Sequence, residues 1–485
     1  MKKNLLKVKS TLLVAVILMA TVVSCEDSIE GDVNVDPIVA TTIDPALLMT
    51  QVLVAGFSAN RTVELNAMNM QSQHWSSIVG FGVFVNPERY TISGNTTNNV
   101  WVGHYTTVLS NLGQMRRLVE ENNPEARNIV GQVRILEAFA YLNLTQIFGD
   151  IPFSQAIQVA EFPTPIFDTQ EEVLRGIPAL IDEGLAELAT DTDIITTTDL
   201  IFGGDRQSWI RFGNTLKLKA LMLVANVDPG SVQSQIQAVA NEPLILDATQ
   251  DATFFYTDAP GNENPIWKTL DQFAGGANLF WGSATTLVDI MNANNDPRRA
   301  TFFDEVEGGG FVGQDQGVIT PDGISPVSLN IIRPSMPDRY ATASETNFYL
   351  AEAALQGWIA GGQAAANTFY RAGIQESLDF YDGQPGEIAQ ADKDAFMASA
   401  RASIAADTPA DALVKIHEEH WISDFARPIE GWTDWRRNKV PDFQLPVQAV
   451  LPDIIRRYNY PNSEVNANPN TPDLLPLEAP QWFEN

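Results

Sequence analysis

The stretch RILEAFAYLNLTQIFGDIPF, residues 134–153, is apolar on almost every side: Ile135, Leu136, Ala138, Phe139, Leu142, Leu144, Ile147 and Phe148 leave only Arg134, Glu137, Asn143, Thr145 and Gln146 clearly polar. At helical spacing these residues form no single stripe, so the helix must be covered on more than one face. Ala138 and Ala140 carry little side chain and invite close neighbours. Gly149 suits a left-handed turn that closes the helix, and Pro152 prevents its resumption. A central helix of this kind predicts an all-α protein.

Working outward, Asp44 as cap and Pro45 as first helical residue open a helix predicted over 44–57. Others are predicted over 63–78, 98–121, 126–148, 209–225, 285–294 and 411–425, and a further one runs to Leu188 from the capping-box-like pair Asp168 and Glu171. Residues 80–93 interrupt this order as a loop that sets Phe81, Phe84 and Tyr90 among glycine, asparagine and proline. From 243 to 340 the periodicity weakens, glycines cluster and aromatics come in groups, which predicts a loop-rich region carrying recognition on a rigid scaffold. Helical order returns at Ser344, where Tyr349, Ala353, Ala365, Phe369 and Ala372, disposed about Gly361-Gly362, approximate a tetratricopeptide helix pair. The proline-rich last forty residues are predicted to wrap the surface in extended form, pinned by Tyr458, Tyr460 and Trp482.

The formal net charge of −30 falls to −34 when Lys2, Lys3, Lys7 and Lys9 are removed with the first 24 residues. So acidic a chain repels nucleic-acid phosphate and anionic lipid, and no general basic face for nucleic acid is expected. Those four lysines precede an apolar run over 11–23 that is the length of a signal-peptide core and too short to span a bilayer comfortably. The run ends Val22-Val23-Ser24-Cys25, which resembles a bacterial lipobox, and Cys25 is the only cysteine. The expected organisation is a lipoprotein signal peptide over 1–24, an acylated acidic tether over 25–43 and an α domain over 44–485, attached to a membrane through lipid on Cys25.

An apolar helix ending Leu144-Thr145-x-x-Phe148-Gly149-Asp150-Ile151-Pro152-Phe153 resembles SusD-like (SusD/RagB) outer-membrane lipoproteins, and Asn34-Val35-Asp36-Pro37 resembles the branch whose core begins with that segment. Asn99-x-Trp101-x-x-x-Tyr105, residues 209–217, Leu350-Ala351-Glu352-Ala353-Ala354 and Gly431-Trp432-x-Asp434-Trp435-Arg436-Arg437 extend the similarity over nearly the whole chain. The resemblance implies a tetratricopeptide-like helical superhelix with a loop-rich irregular region. It also implies display on the outer face of the outer membrane, and a SusC-like TonB-dependent barrel as partner.

No catalytic constellation is legible. His417-Glu418-Glu419-His420 spaces its histidines three apart where the zinc-protease helix needs four, and no third metal ligand is indicated. Serine-hydrolase elbow and P-loop are absent. Sixty acidic residues make any carboxylate pair uninformative. No cofactor is expected. Sugar rings present C–H faces that pack on aromatic rings while amides and charges bond their hydroxyls, so loop aromatics are the better candidates. They are Phe81, Phe84 and Tyr90 in the first loop and Trp267, Phe280 and Trp281 in the second, with Arg89, Asn262, Asn264 and Asn278 as polar partners. The expected function is capture of an oligomeric nutrient, glycan above all, for delivery to the barrel. A peptide-binding module of the same system, a lipid-anchored glycosidase and a subunit that merely stabilises the barrel are the alternatives.

Overall fold

The computed structural model describes residues 43–58, 66–320 and 322–484; the signal segment, Cys25 and nearly all of the tether lie outside them. Helices dominate, and they pack in sequential pairs. Ser110–Asn122 lies on Arg127–Phe148, which lies on Gln170–Leu188, then Arg206–Ala225, then Pro229–Val239. A second series joins Ala343–Leu355 to Gly362–Asp379 and to Pro409–Ser423, which meets Pro428–Asn438. The two series meet where Arg206–Ala225 packs on Ala343–Leu355. This is the tetratricopeptide-like architecture expected from the sequence.

Arg127–Phe148 is buried on every face, and Ala138 and Ala140 are fully covered. A close approach to a neighbour, however, is made by glycine. A Cβ on Gly131 would sit 2.6 Å from Leu188 Cγ and 2.9 Å from the Gly184 carbonyl, so Gly131 and Gly184 set the spacing of that crossing.

The end of this helix explains its unusual sequence. Gly149 has φ 86° and ψ −113°, positive as expected but outside the left-handed helical well, a region that only glycine enters without strain. Thr145 Oγ1 donates to the Gly149 carbonyl at 2.8 Å, and Asp150 Oδ1 accepts the Gln170 N–H at 2.8 Å. Ile151 and Asp168 exchange backbone hydrogen bonds at 3.1 and 3.0 Å. Asp168 Oδ2 accepts the amides of Phe153 (2.9 Å) and Ser154 (2.8 Å), which turns this carboxylate toward the preceding loop. The capping box therefore falls one residue later than predicted, on Thr169 and Glu172. The last carbonyls of Arg127–Phe148 are taken by the far end of the chain: Tyr458 N–H donates to Ile147 at 2.9 Å, Arg457 Nη2 to Phe148 at 2.7 Å and Arg436 Nη1 to Gln146.

Two predicted elements differ. In the stretch predicted as one helix over 63–78, the described residues turn helical only over 66–71, after which Gln73 takes φ 54° and Trp75–Ser77 becomes a strand. That strand pairs antiparallel with Trp281–Ser283, and both are buried along their whole length, which overrides the helical period. Conversely, the predicted loop over 80–93 contains a helix, Gly82–Glu88, with Pro87 in its last turn. Residues 243–340 carry short helices at Pro265–Ala274, Thr285–Ala293 and Arg299–Phe302, and short strands at Ala252–Phe254, Trp281–Ser283 and Asp338–Ala341.

Candidate functional site

Helices Gly82–Glu88 and Pro265–Ala274 face one another across a cavity of about 870 Å³. Ser93 caps the helix that follows, accepting the Thr96 N–H at 3.1 Å, and both residues reach the cavity rim. Asn264 caps the second wall, accepting the Ile266 N–H at 2.8 Å while its Nδ2 donates to the Met336 carbonyl at 3.0 Å. The cavity floor is Phe84 stacked on Phe280, ring centroids 4.3 Å apart and planes 10° from parallel. Both floor rings are buried, whereas Phe81 and Phe273 on the walls are each 67% exposed. Two largely uncovered phenyl rings and Val83, 65% exposed, give a concave apolar surface with nothing in the described chain upon it.

Its polar lining is neutral. Asn66 is consumed internally, donating to the Val83 carbonyl at 3.0 Å and accepting from Trp281 Nε1 at 3.2 Å. The side chains of Asn86 and Thr91 line the cavity and make no hydrogen bond to another described residue. Gly82 leaves room for that amide, since a Cβ there would lie 2.9 Å from Asn86 Nδ2.

Of the residues singled out in the sequence, Phe81, Phe84 and Phe280 come together here. The others do not. Trp281 is fully buried against Trp75, and Tyr90, 1% exposed at φ 66°, belongs to the core as well. Arg89 is turned away, its Nε and Nη2 donating to the Gly317 carbonyl at 3.0 and 2.6 Å. Asn278 spends its amide on the carbonyls of Trp281 and Val327 and the amides of Phe280 and Trp281. Trp267 is half-buried outside the cavity lining, packed under Gly276, and Asn264 is a helix cap. Asn262 is exposed and does not line the cavity. Val83, Asn86, Thr91 and Phe273 were not singled out; an aromatic ring at the exposed end of an amphipathic helix was the one signal for Phe273.

The histidine pair sits in a different environment, a buried ionic core between helices. His420 Nδ1 is 2.9 Å from Asp434 Oδ2, and His417 Nε2 is 3.4 Å from Glu352 Oε2. His420, Asp424 and Asp434 are close enough to hold an ion, but Arg427 Nη1 already donates to Asp424 Oδ1 at 2.6 Å. Burial pushes the Asp424 carboxyl well above the usual range, although Arg427 opposes it. Lys219 bridges Glu345 at 2.9 Å and Glu430 at 3.3 Å, and Arg427 Nη2 donates to Glu345 at 2.7 Å. Burial raises the Glu345 carboxyl, yet Arg427 and Lys219 outweigh it and hold the group at about 2. Asp434 and Arg437 of the tryptophan-rich motif therefore serve the core, Arg437 pairing with Glu352 and packing on Tyr349. No described helix is long and apolar enough to cross a membrane.

Solved structures share this fold. A chitin-binding protein superposes with a TM-score of 0.75 at 23% identity, covering 88% of this chain and 95% of that one. A SusD-like protein from Bacteroidetes AC2a gives 0.77 at 21% identity, with 91% and 100% covered. A chitin-binding SusD homologue from Flavobacterium johnsoniae gives 0.71 at 23% identity, with 87% and 92% covered. No curated protein sequence matches the chain. The family model described as SusD-like, starch-binding associating with outer membrane, matches residues 37–461, and the chain therefore belongs to this family of binding proteins rather than enzymes.

Proposed function

We propose that the protein captures oligosaccharides in the cavity between Gly82–Glu88 and Pro265–Ala274 and hands them to a SusC-like TonB-dependent barrel, held at the cell surface by lipid on Cys25. The observation that carries this reading is the pair of uncovered rings, Phe81 and Phe273, over a stacked Phe84–Phe280 floor. Such a surface receives the C–H faces of pyranose rings, and the free amide of Asn86 and hydroxyl of Thr91 meet sugar hydroxyls. Family membership and the chitin-binding relatives support a glycan as ligand. Tethering keeps captured ligand at high local concentration beside the pore, so a site of moderate affinity suffices.

Isothermal titration of the mature domain with chito- and malto-oligosaccharides tests the reading, with chromatography of the recovered ligand. Saturable binding with chain length unchanged is expected; cleavage of the ligand would refute it. The phenyl lining also suits apolar peptide side chains, and a peptide panel in the same titration separates the two ligand classes. Cell-surface proteolysis and mass spectrometry of the amino terminus test the anchor.

A further inference from the structure

We infer that the cavity selects electrically neutral glycans and rejects those carrying a carboxylate, sulfate or ammonium on each ring, an inference that rests on the glycan-binding reading above. Although 19% of the chain is charged, no Lys, Arg, Asp or Glu is among the described residues that line the cavity. Of the ionic groups on the same two walls, Asp271 does not line the cavity and the others are committed elsewhere. Glu88 points inward, accepting from Ser76 Oγ at 2.9 Å and Ser77 N–H at 3.2 Å, and Arg89 is spent on the Gly317 carbonyl. On the opposite wall Lys268 lies 3.6 Å from Glu263 and donates to the Gly261 carbonyl at 3.1 Å. What remains inside is four phenyl rings and neutral amide or hydroxyl groups, of which Asn86 and Thr91 are uncommitted.

Two physical effects then act in sequence. At long range the net charge of −30 repels polyanionic chains and draws in polycations. At contact both are disfavoured alike. A ring bearing an ion must leave part of its hydration to lie against phenyl, and the described lining supplies no opposite charge to repay that loss. A neutral ring, or one whose nitrogen is acetylated, loses no ionic hydration and gains apolar contact.

The test compares oligosaccharides matched in length: chito-oligosaccharides against their deacetylated forms below the amine pKa, and cello-oligosaccharides against oligogalacturonates. Titrations are run at about 0.15 M and about 1 M salt, where the screening length falls to roughly 8 and 3 Å. Neutral forms are expected to bind at least about tenfold tighter than their charged partners, with the preference kept at high salt because it arises at contact. Equal or tighter binding of a charged form overturns the inference, as does a preference that disappears with salt, which would trace it to net charge alone. If no glycan of either kind binds, the glycan reading itself has failed, a distinguishable result. Asn86→Lys, which places an ammonium in the lining, is expected to gain oligogalacturonate binding; an unchanged preference in that variant would also count against the proposal.

Discussion

Replacing Phe81 and Phe84 separately by alanine distinguishes a ligand-facing ring from a structural one three residues away. Phe81 is 67% exposed, so about a third of its side chain is buried in the free protein. Full burial of phenylalanine is worth about 1.5–3 kcal/mol, hence Phe81→Ala should cost no more than about 1 kcal/mol of stability. Its backbone role survives, because the Phe81 carbonyl accepts the Phe84 and Val85 amides whatever the side chain. When a sugar covers the exposed two thirds, the contact contributes about 1–2 kcal/mol, a loss of roughly 5- to 30-fold in affinity on truncation. Phe84 is 6% exposed and stacked on Phe280, so Phe84→Ala should instead cost about 3–5 kcal/mol in stability. Urea denaturation and calorimetric titration of both variants make the comparison. If Phe81→Ala binds oligosaccharide within twofold of the parent, the cavity is not the binding surface.

Three further outcomes follow from the buried structure. Gly149→Ala forces a side chain to φ 86° and sets a Cβ 2.6 Å from Arg457 Nη2, displacing its bond to Phe148; a loss of about 3–5 kcal/mol in urea denaturation is expected, and less than about 1 kcal/mol would refute the account of this turn. Burial pushes Glu88 from 4.5 to about 7 against the opposing bonds from Ser76 and Ser77, so its neutral form stabilises the fold fully below about pH 4.5, and this is lost as pH rises through about 7. Stability of the parent relative to Glu88→Gln should therefore fall by about 2–3 kcal/mol across that window in denaturation curves taken at several pH values, and a flat difference would contradict it. Lys219→Met takes away the cation that bridges Glu345 and Glu430, leaving Arg427 to offset both carboxylates, and should cost about 3–5 kcal/mol of thermal or chemical stability; a neutral result would show that the core does not need this cation.

The central helix and its stop were legible because their causes are local: continuous apolar residues, then Gly149 and Pro152. Trp75–Ser77 was not, because its strand exists only through pairing with Trp281–Ser283, some two hundred residues away. The candidate site shows the same division. Aromatics in a glycine- and asparagine-rich interval pointed to Phe81, Phe84 and Phe280, yet the identical signal pointed to Tyr90 and Trp281, which the strand pair and its neighbours seal in. Burial of a ring depends on what crosses it, and nothing adjacent in sequence records that. Asn86, Thr91 and Phe273 became candidates only once two distant helices were seen to share a cavity. The ionic core was likewise hard to read, since Lys219 and Glu345 come from two helices far apart in sequence and Arg427 and Asp434 from the cap and body of a third.

The arginines and tyrosine that take the last carbonyls of Arg127–Phe148 come from residues 436–458, and Gln481 Nε2 adds a bond to Ile147 at 3.3 Å. A chain emerging amino-terminus first must therefore keep its central element unlatched until some three hundred further residues have appeared. Contacts of such long sequence separation make for slow closure. Until residues 436–458 arrive the polypeptide stays pliable, and a premature stop codon before Arg436 would leave a body that never locks.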